Sequence, residues 1–221
     1  MLRAVMLGLP GAGKGTQARL LSIEFGIPHI STGDIFRGAV QSGGLLGLEA
    51  RRYIEKGELV PDPIAIQIVV DRLDEPDCRQ GFLLDGFPRT VLQAESLDQL
   101  LFERDAALGV AINIRVSPGE AIRRIAGRGV CASCQTVWRM DAGDRTCPVC
   151  GGRISRRADD DEETAKRRVQ VYLTETAQVV EYYRARGLLL ECDGEKAVEE
   201  VFQELCSRLS GLAGRSRHDN P

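Results

Sequence analysis

Short apolar runs alternate with longer amphipathic segments along this chain. The runs that are typical of buried strands span 2–8, 27–30, 81–86, 109–116 and 188–192. Between them apolar residues recur at helical spacing, as Ala18, Leu21 and Phe25 do before Gly26. Because strands alternate with helices, the pattern predicts an α/β fold: a parallel five-stranded sheet with helices on both faces.

Helix signals fill most of the remaining chain. The predicted helices span 14–25, 31–40, 47–57, 62–73, 90–102, 117–128, 159–186 and 195–209. One of them is expected to begin with Asp62 as N-cap and Pro63 in its first position. Segment 128–158 has few large apolar residues and many turn formers, so we expect it to lie outside the main core. Residues 211–221 are expected to be a disordered tail.

The composition is that of an ordinary globular protein and narrows the choice of partners. The chain has 221 residues, 43% hydrophobic and 28% charged, with a formal net charge of −3. We expect no nucleic-acid partner, because that charge gives no broad electrostatic attraction to phosphate backbones. No apolar run approaches a membrane span, so no membrane partner is expected. Seven cysteines, an odd number, fit a reducing compartment, and we expect a cytoplasmic monomer.

The stretch GLPGAGKGT, residues 8–16, follows the first predicted strand. Gly8, Gly13 and Lys14 have the spacing of a phosphate-binding loop, G-x-x-x-x-G-K-[ST]. Gly15 stands where a hydroxyl residue is usual, and Thr16 follows one place later. Such a loop can turn its N–H groups toward phosphate oxygens, with Lys14 on the phosphates and Thr16 on Mg²⁺. The alternative is a glycine-rich turn that binds nothing.

Three further stretches are rich in polar residues, and the first two lie at the ends of predicted strands. They are STGDIFR at 31–37, DGFPRTVLQ at 85–93 and RISRRADDDEETAKRR at 153–168. Each has a purely structural alternative. Ser31 or Thr32 could simply cap a helix, 85–93 could be an ordinary turn, and the acidic run could be the first turn of a helix.

Four of the cysteines form two C-x₂-C pairs that are twelve residues apart. They are Cys131, Cys134, Cys147 and Cys150. This pattern suits one structural Zn²⁺ in a tetrahedral site, because a segment with so little apolar core needs another source of stability. Two disulfides or a redox-active pair are the alternatives.

Together these stretches resemble the adenylate kinase family, from Met1 to about Leu209. The G-x-P-G-x-G-K-G-T loop and the D-G-F-P-R-x-x-x-Q run carry most of the resemblance, so the displaced hydroxyl becomes a feature of the family. The resemblance implies a core of 1–30, 61–127 and 161–210, an AMP-binding helical insertion at 31–60 and a zinc-binding lid at 128–160. It implies Mg-dependent transfer of a phosphoryl group from ATP to AMP, giving two ADP, under a lid that excludes water. Pro88 is expected to be cis.

The resemblance also assigns residues to sites. ATP would be bound by Gly11, Ala12, Gly13, Lys14, Gly15, Thr16, Arg128, Val137, Trp138 and Lys196. AMP would be bound by Thr32, Arg37, Glu58, Leu59, Val60, Gly86, Phe87, Pro88, Arg89, Gln93, Arg157 and Arg168. Thr16 and, through water, Asp85 would hold Mg²⁺. The catalytic cations would be Lys14, Arg89, Arg124, Arg128, Arg157 and Arg168. The family commonly has Tyr at the position of Trp138.

Three other functions stay open at this point. The acceptor could be UMP or CMP, or the donor GTP, although Thr32 and Gln93 favour AMP. The cysteine segment could be a nucleic-acid-binding ribbon, which would need a basic or aromatic face. The chain could also be an ATPase that moves a partner, which would not need a second site at Arg37 and Arg89.

Overall fold

The predicted apolar runs form the strands of one parallel sheet. The structure, a computed structural model, describes residues 1–43, 45–140, 145–157 and 160–215. In chain order the strands are β1 (Leu2–Leu7), β2 (His29–Ser31), β3 (Gly81–Asp85), β4 (Val110–Arg115), β5 (Arg128–Cys131), β6 (Val137–Arg139), β7 (Ile154–Ser155) and β8 (Leu189–Asp193). Five of them pair side by side in the order β2-β3-β1-β4-β8, and every pairing is parallel. The predicted fold class is confirmed.

Helices connect the strands. They are α1 (Lys14–Phe25), α2 (Thr32–Ser42), α3 (Leu45–Ile54), α4 (Asp62–Leu73), α5 (Val91–Phe102), α6 (Pro118–Ala126), α7 (Glu162–Val171), α8 (Ala177–Ala185) and α9 (Val198–Arg215). A short 3₁₀ helix covers Pro76–Gln80, and a π-helical turn, Tyr172–Thr176, joins α7 to α8. No helix within the described ranges is both long enough and apolar enough to cross a bilayer.

The sheet separates two hydrophobic cores. Successive side chains of a strand point to opposite faces, so Ala4 and Met6 of β1 enter one core and Val5 and Leu7 the other. Helices α1 and α9 cover the first face, and α4, α5 and α8 contribute to the second core. Each large side chain buried in this way contributes about 1.5–3 kcal/mol. The sheet therefore provides a stable framework for the loops at the ends of its strands.

A second, smaller sheet lies in the segment predicted to be outside the main core. Strand β5 pairs antiparallel with β6 on one side and with β7 on the other. Its small apolar cluster consists of Cys131, Cys147 and Ile154, with Cys134, Trp138 and Met140 packed against them. We call residues 128–157 the ribbon.

The parallel arrangement brings several loops to one edge. Because all five strands run in the same direction, their carboxyl ends meet there, and ligands of such sheets bind beyond these ends. The glycine loop follows β1 at this edge, Asp85 ends β3 and Ser31 ends β2. The sheet topology thus places three of the sequence motifs side by side.

Two local predictions are wrong, and each has a physical reason. Asp62 is the first residue of α4, after Pro61, and its carboxylate accepts hydrogen bonds from Thr90 and Gln93 instead of capping the helix. Helix α9 continues to Arg215, so 211–215 are helical and not part of a disordered tail, because Val201, Leu205 and Leu209 anchor the helix on the sheet. Residues 216–221 lie outside the described residues.

Candidate active site

The glycine loop holds the amino group of Lys14 at the end of β1. Gly13, at φ 97°, is the last residue before α1, and this left-handed conformation favours glycine. The Lys14 Nζ atom donates hydrogen bonds to the carbonyl oxygens of Gly8 at 2.8 Å and Leu9 at 3.0 Å. The ammonium group is therefore fixed over the loop, beside the N-terminus of α1, where an anion would be stabilised.

The structure explains why the hydroxyl of the motif is displaced. A Cβ atom on Gly15 would lie 3.2 Å from Oδ2 of Asp85, a tight contact with a carboxylate. A larger side chain at position 15 would push Asp85 away from the loop. Glycine at 15 and the hydroxyl at Thr16 thus keep the carboxylate and the loop in close contact.

Asp85 remains ionised although it is buried. Burial alone would raise the pKa of Asp85, but His29 and the charges of Lys14 and Arg89 outweigh that effect and lower it. The His29 Nε2 atom lies 3.6 Å from Asp85 Oδ2. His29 of β2 thus lies beside this carboxylate.

The turn after β3 positions Arg89. The Phe87–Pro88 bond is cis, as predicted. The Arg89 Nε atom donates to the Gly86 carbonyl at 2.7 Å, and the Arg89 backbone N–H donates to Gln93 Oε1 at 2.8 Å. Gln93 in turn donates to Asp62 Oδ1 at 2.7 Å, so its buried carboxamide is held by α4. Asp62 orients Gln93, a role that the sequence did not suggest.

The start of α2 contributes a second group of polar residues. Thr32 is buried, and its hydroxyl donates to the Asp85 carbonyl at 3.3 Å. Arg37 pairs with Asp34, and Nη2 of Arg157 lies 3.6 Å from the same Asp34 carboxylate. Asp34 thereby connects the segment after β2 to the end of the ribbon.

A buried carboxylate, Asp160, connects two of the predicted arginines. Arg128 donates to it through Nε at 2.7 Å and also through Nη2, and Arg168 Nη1 lies 3.3 Å from it. The side chain of Asp160 is 0% exposed. The sequence favours the first helical turn for most of the acidic run 159–163; Asp161 is the N-cap of α7 and the two residues after it are helical, whereas Asp160 precedes the helix and Asp159 lies outside the described residues.

One cavity of about 740 Å³ brings these groups together. The predicted nucleotide-site residues all line it: Gly11, Ala12, Gly13, Lys14, Gly15, Thr16, Thr32, Arg37, Glu58, Leu59, Val60, Asp85, Gly86, Phe87, Pro88, Arg89, Gln93, Arg124, Arg128, Val137, Trp138, Arg157, Arg168 and Lys196. Trp138 and Val137 point to opposite sides of β6, and Trp138 packs against the cysteine cluster. Lys196 lines the cavity, and its side chain pairs with Glu204 at 3.0 Å.

Positive charge dominates the inner part of this cavity. The pKa of Lys14 is lowered to about 8, chiefly by burial; Asp85 opposes this shift, and the neighbouring Arg89, Arg168 and Arg128 contribute to it. Burial and nearby cations likewise lower the pKa of Arg89 and of Arg157, each to about 10. A bound polyanion would relieve this repulsion, so the cavity is suited to phosphate groups.

The four ribbon cysteines converge on one point. Their sulfur atoms all lie within 4.8 Å of one another, with 3.4 Å between Cys131 and Cys150 and 3.6 Å between Cys134 and Cys147. Sulfur ligands of a tetrahedral zinc ion at about 2.3 Å are separated by about 3.8 Å. The thiols are free, and hydrogen bonding with Thr136 lowers the pKa of Cys134 to about 6, which favours the thiolate form that binds metals.

Comparison with known proteins agrees with this geometry. The model of the family described as adenylate kinase matches residues 6–188. The adenylate kinase of Methanocella arvoryzae is 48% identical over 216 residues, which cover 96% of this chain and 100% of the relative. Those of Desulfitobacterium hafniense and Acetivibrio thermocellus are 47% and 45% identical, over 92% and 96% of this chain and 96% and 99% of the relatives. The chain belongs to the adenylate kinase family.

Membership of the adenylate kinase family makes the protein a phosphotransferase. The structure adds three residues whose roles the sequence did not reveal: Asp62, which orients Gln93, Asp160, which pairs with two arginines, and Arg19 of α1, which lines the cavity. The sequence did contain a signal for Asp160. The helix dipole explains acidic residues in the first turn of a helix, but not a carboxylate that precedes the N-cap. Asp62 and Arg19 had no such signal, because their contacts join distant segments.

The lowered pKa of Lys14 gives a prediction for the nucleotide-free protein. At pH 7, Lys14→Met is expected to be more stable than the wild type by about 1–3 kcal/mol, because a buried charge is removed. The folded-state pKa of about 8 lies below the unfolded value of 10.5, so the folded wild type releases its proton first as the pH rises. The stability difference should therefore narrow between pH 8 and pH 10.5, measured by urea unfolding.

The control is Lys56→Met, at an exposed position in the turn after α3. This variant should keep a constant stability difference from the wild type over the same pH range. A Lys14→Met difference that is also independent of pH would contradict the burial of a charged ammonium group.

Proposed function

We propose that the protein catalyses the adenylate kinase reaction, reversible transfer of a phosphoryl group from MgATP to AMP to give two ADP. The observation that carries the proposal is the shared cavity, in which the glycine loop faces a second set of arginines. An ATPase needs only the loop, whereas two phosphate sites that face each other suit a donor and an acceptor. The names of the relatives agree with this choice.

The donor half of the site lies around α1 and the ribbon. ATP phosphates contact the loop N–H groups and Lys14, and the donor base lies between β6 and the backbone near Lys196. Thr16 and Asp85 supply the hard oxygen atoms that Mg²⁺ prefers, with Asp85 acting through water, and the lowered pKa of Asp85 supports this assignment. Mg²⁺ bound to the nucleotide neutralises charge on the β- and γ-phosphates.

The acceptor half lies around α2 and the turn after β3. The AMP phosphate contacts Arg37 and Arg89, and its base lies near Thr32, the 58–60 backbone and Gln93. Gly86, Phe87 and Pro88 shape the turn that directs Arg89 into the cavity. Gln93 retains one N–H and one lone pair after its contacts with Asp62 and Arg89, enough to bind a base edge.

Catalysis in this proposal rests on alignment and charge. The attacking group of AMP is already an ionised phosphate oxygen, so no general base is needed. Lys14 and Arg89 hold the two reactants in line. The remaining cations stabilise the transferring group: Arg124, Arg128, Arg157 and Arg168. Because these four arginines are in place before the reaction, little reorganisation energy is needed when charge develops on the transferring group.

Movable parts complete the mechanism. We assign the core to 1–30, 61–127 and 161–210, the AMP-binding insertion to 31–60 and the lid to 128–160. Water is a competing nucleophile, and a lid that closes over both substrates excludes it. The four cysteines hold one structural Zn²⁺, because all four ligand positions come from the protein and none of the four cysteines lies on a strand of the main sheet.

A product assay tests the proposed function. Protein, Mg²⁺ and ATP are mixed with AMP, UMP or CMP, and diphosphate is quantified by chromatography; GTP replaces ATP in a second series. We expect diphosphate with ATP and AMP, and much less with the other pairs. Release of inorganic phosphate without an acceptor would point to an ATPase. Faster transfer to UMP or CMP than to AMP would show that AMP is not the preferred acceptor.

Arg89→Ala tests the acceptor phosphate site. We expect kcat/KM to fall by roughly two to four powers of ten, because the variant loses a charge donor that contacts the transferring groups. The fold should persist, since Arg89 is on a turn at the cavity. Arg79→Ala is the control, because Arg79 is exposed in the 3₁₀ helix before β3, at the opposite edge of the sheet. Activity of Arg89→Ala within about threefold of wild type would refute the assignment.

Cys134→Ser tests the zinc site. The wild type is expected to contain close to one zinc per chain by elemental analysis, and the variant to lose it and melt at a lower temperature, because metal binding supplies folding free energy to the ribbon. Some transfer should survive at low temperature and fail early on heating. Cys206→Ser, at a half-buried position on α9, should keep its zinc. Loss of turnover at every temperature with unchanged melting would indicate a catalytic metal instead.

A further inference from the structure

Arg19 forms a contact between the ribbon and α1 that the mechanism above does not use. Its Nη1 atom donates to the Thr136 hydroxyl at 2.9 Å, and its Nη2 atom donates to the Gln135 carbonyl at 2.9 Å. The residues are more than 110 positions apart in the chain, so only the tertiary structure joins them. We propose that Arg19 is a positioning residue that docks the ribbon over the donor site and thereby sets the affinity for ATP.

The location of Arg19 supports this role. It lies on the same helix as Lys14, five positions further along the chain, and it lines the shared cavity. Gln135 and Thr136 directly precede Val137 and Trp138, the residues that the proposal places over the donor base. A contact at 135–136 therefore constrains the position of Val137 and Trp138 relative to the glycine loop.

The ribbon side of the contact is itself held in place. Gln135 has φ 56°, a left-handed conformation, in the turn after Cys134. Thr136 Oγ1 lies 3.2 Å from Cys134 Sγ, so the same hydroxyl contacts both a cysteine of the cluster and Arg19. Arg19 thus contacts the ribbon at a residue that also touches the cysteine cluster.

The chemistry of the contact sets the size of the effect. A guanidinium group offers two donors in a rigid fork that matches two neighbouring acceptors, which an ammonium group cannot do equally well. The contact is partly open to solvent, so its contribution is moderate. When the docked arrangement is less populated, the apparent dissociation constant of ATP rises in proportion. Lid opening becomes easier at the same time, so kcat does not fall.

The test compares Arg19→Leu and Arg19→Lys with the wild type. Leu and Lys resemble Arg in helix propensity, so α1 remains folded. In Arg19→Leu we expect KM for ATP to rise about three- to tenfold, KM for AMP to stay within twofold, and kcat to be unchanged or higher. The KM for ATP of Arg19→Lys should lie between those of the wild type and Arg19→Leu. Arg104→Leu, which removes a surface ion pair with Asp74, is the matched control and should change neither KM.

A double-variant cycle and a fluorescence measurement separate docking from direct contact with the nucleotide. Thr136→Val removes one of the two acceptors, so Arg19→Leu combined with Thr136→Val should be no worse than Arg19→Leu alone. Trp138 is the single tryptophan of the chain, and its anisotropy decay without nucleotide should report a more mobile ribbon in Arg19→Leu. Zinc content is measured in every variant to show that the ribbon is intact.

Several outcomes would overturn the proposal: a KM for ATP within twofold of wild type, equal changes in both KM values, additive effects in the cycle, or unchanged Trp138 anisotropy. The inference rests on the proposed function, and the two can fail separately. Wild-type protein that makes no ADP refutes the function. Wild-type protein that makes ADP, with Arg19→Leu kinetically identical to it, refutes the docking role alone.

Discussion

Positive charge confined in a cleft is the constraint on which the active site depends. Burial lowers the pKa values of Lys14, Arg89 and Arg157, and neighbouring cations add to this effect. Such an arrangement opposes folding, and the two hydrophobic cores that hold the sheet must outweigh it. Asp85, Asp34 and Asp160 offset part of the repulsion. The remainder is relieved by an anionic ligand, so the same feature that weakens the free protein gives it affinity for phosphate.

The carboxylates do more than balance charge, since each joins separate segments of the chain. Asp34 connects the segment after β2 with Arg157 at the end of the ribbon, and Asp160 connects Arg128 with Arg168 of α7. Glu58 also pairs with Arg167 of α7, at 2.6 Å. Exposed ion pairs contribute little stability, whereas removing one partner of a buried pair is costly because it leaves an uncompensated buried charge. The pairs thus join α2, Glu58, the ribbon and α7 to one another.

The ribbon shows how a small unit is kept in order with few apolar residues. Its cluster contains mainly the cysteines, Ile154, Trp138 and Met140, which is far less than either core of the sheet provides. Four converging sulfur atoms suit a metal that would supply the missing stability. The two hydrogen bonds from Arg19 then determine where this rigid unit sits relative to α1. Stability of the ribbon and its docking thus have different physical origins.

Residue type and spacing were sufficient to predict the fold class, whereas the cis Pro88 and the residues expected at the nucleotide sites, which line the cavity, were implied by the resemblance of the motifs to the adenylate kinase family. These predictions succeeded because they depend on local patterns: alternating burial in strands, helical periodicity and motifs such as 8–16 and 85–93. Contacts between distant segments were not predictable in this way. Asp62 was expected to cap a helix and instead holds Gln93, and Asp160 was expected to sit in a helical turn and instead pairs with Arg128. Which of two possible partners such a side chain contacts depends on the distances between segments in the folded protein. Local sequence patterns do not specify these distances.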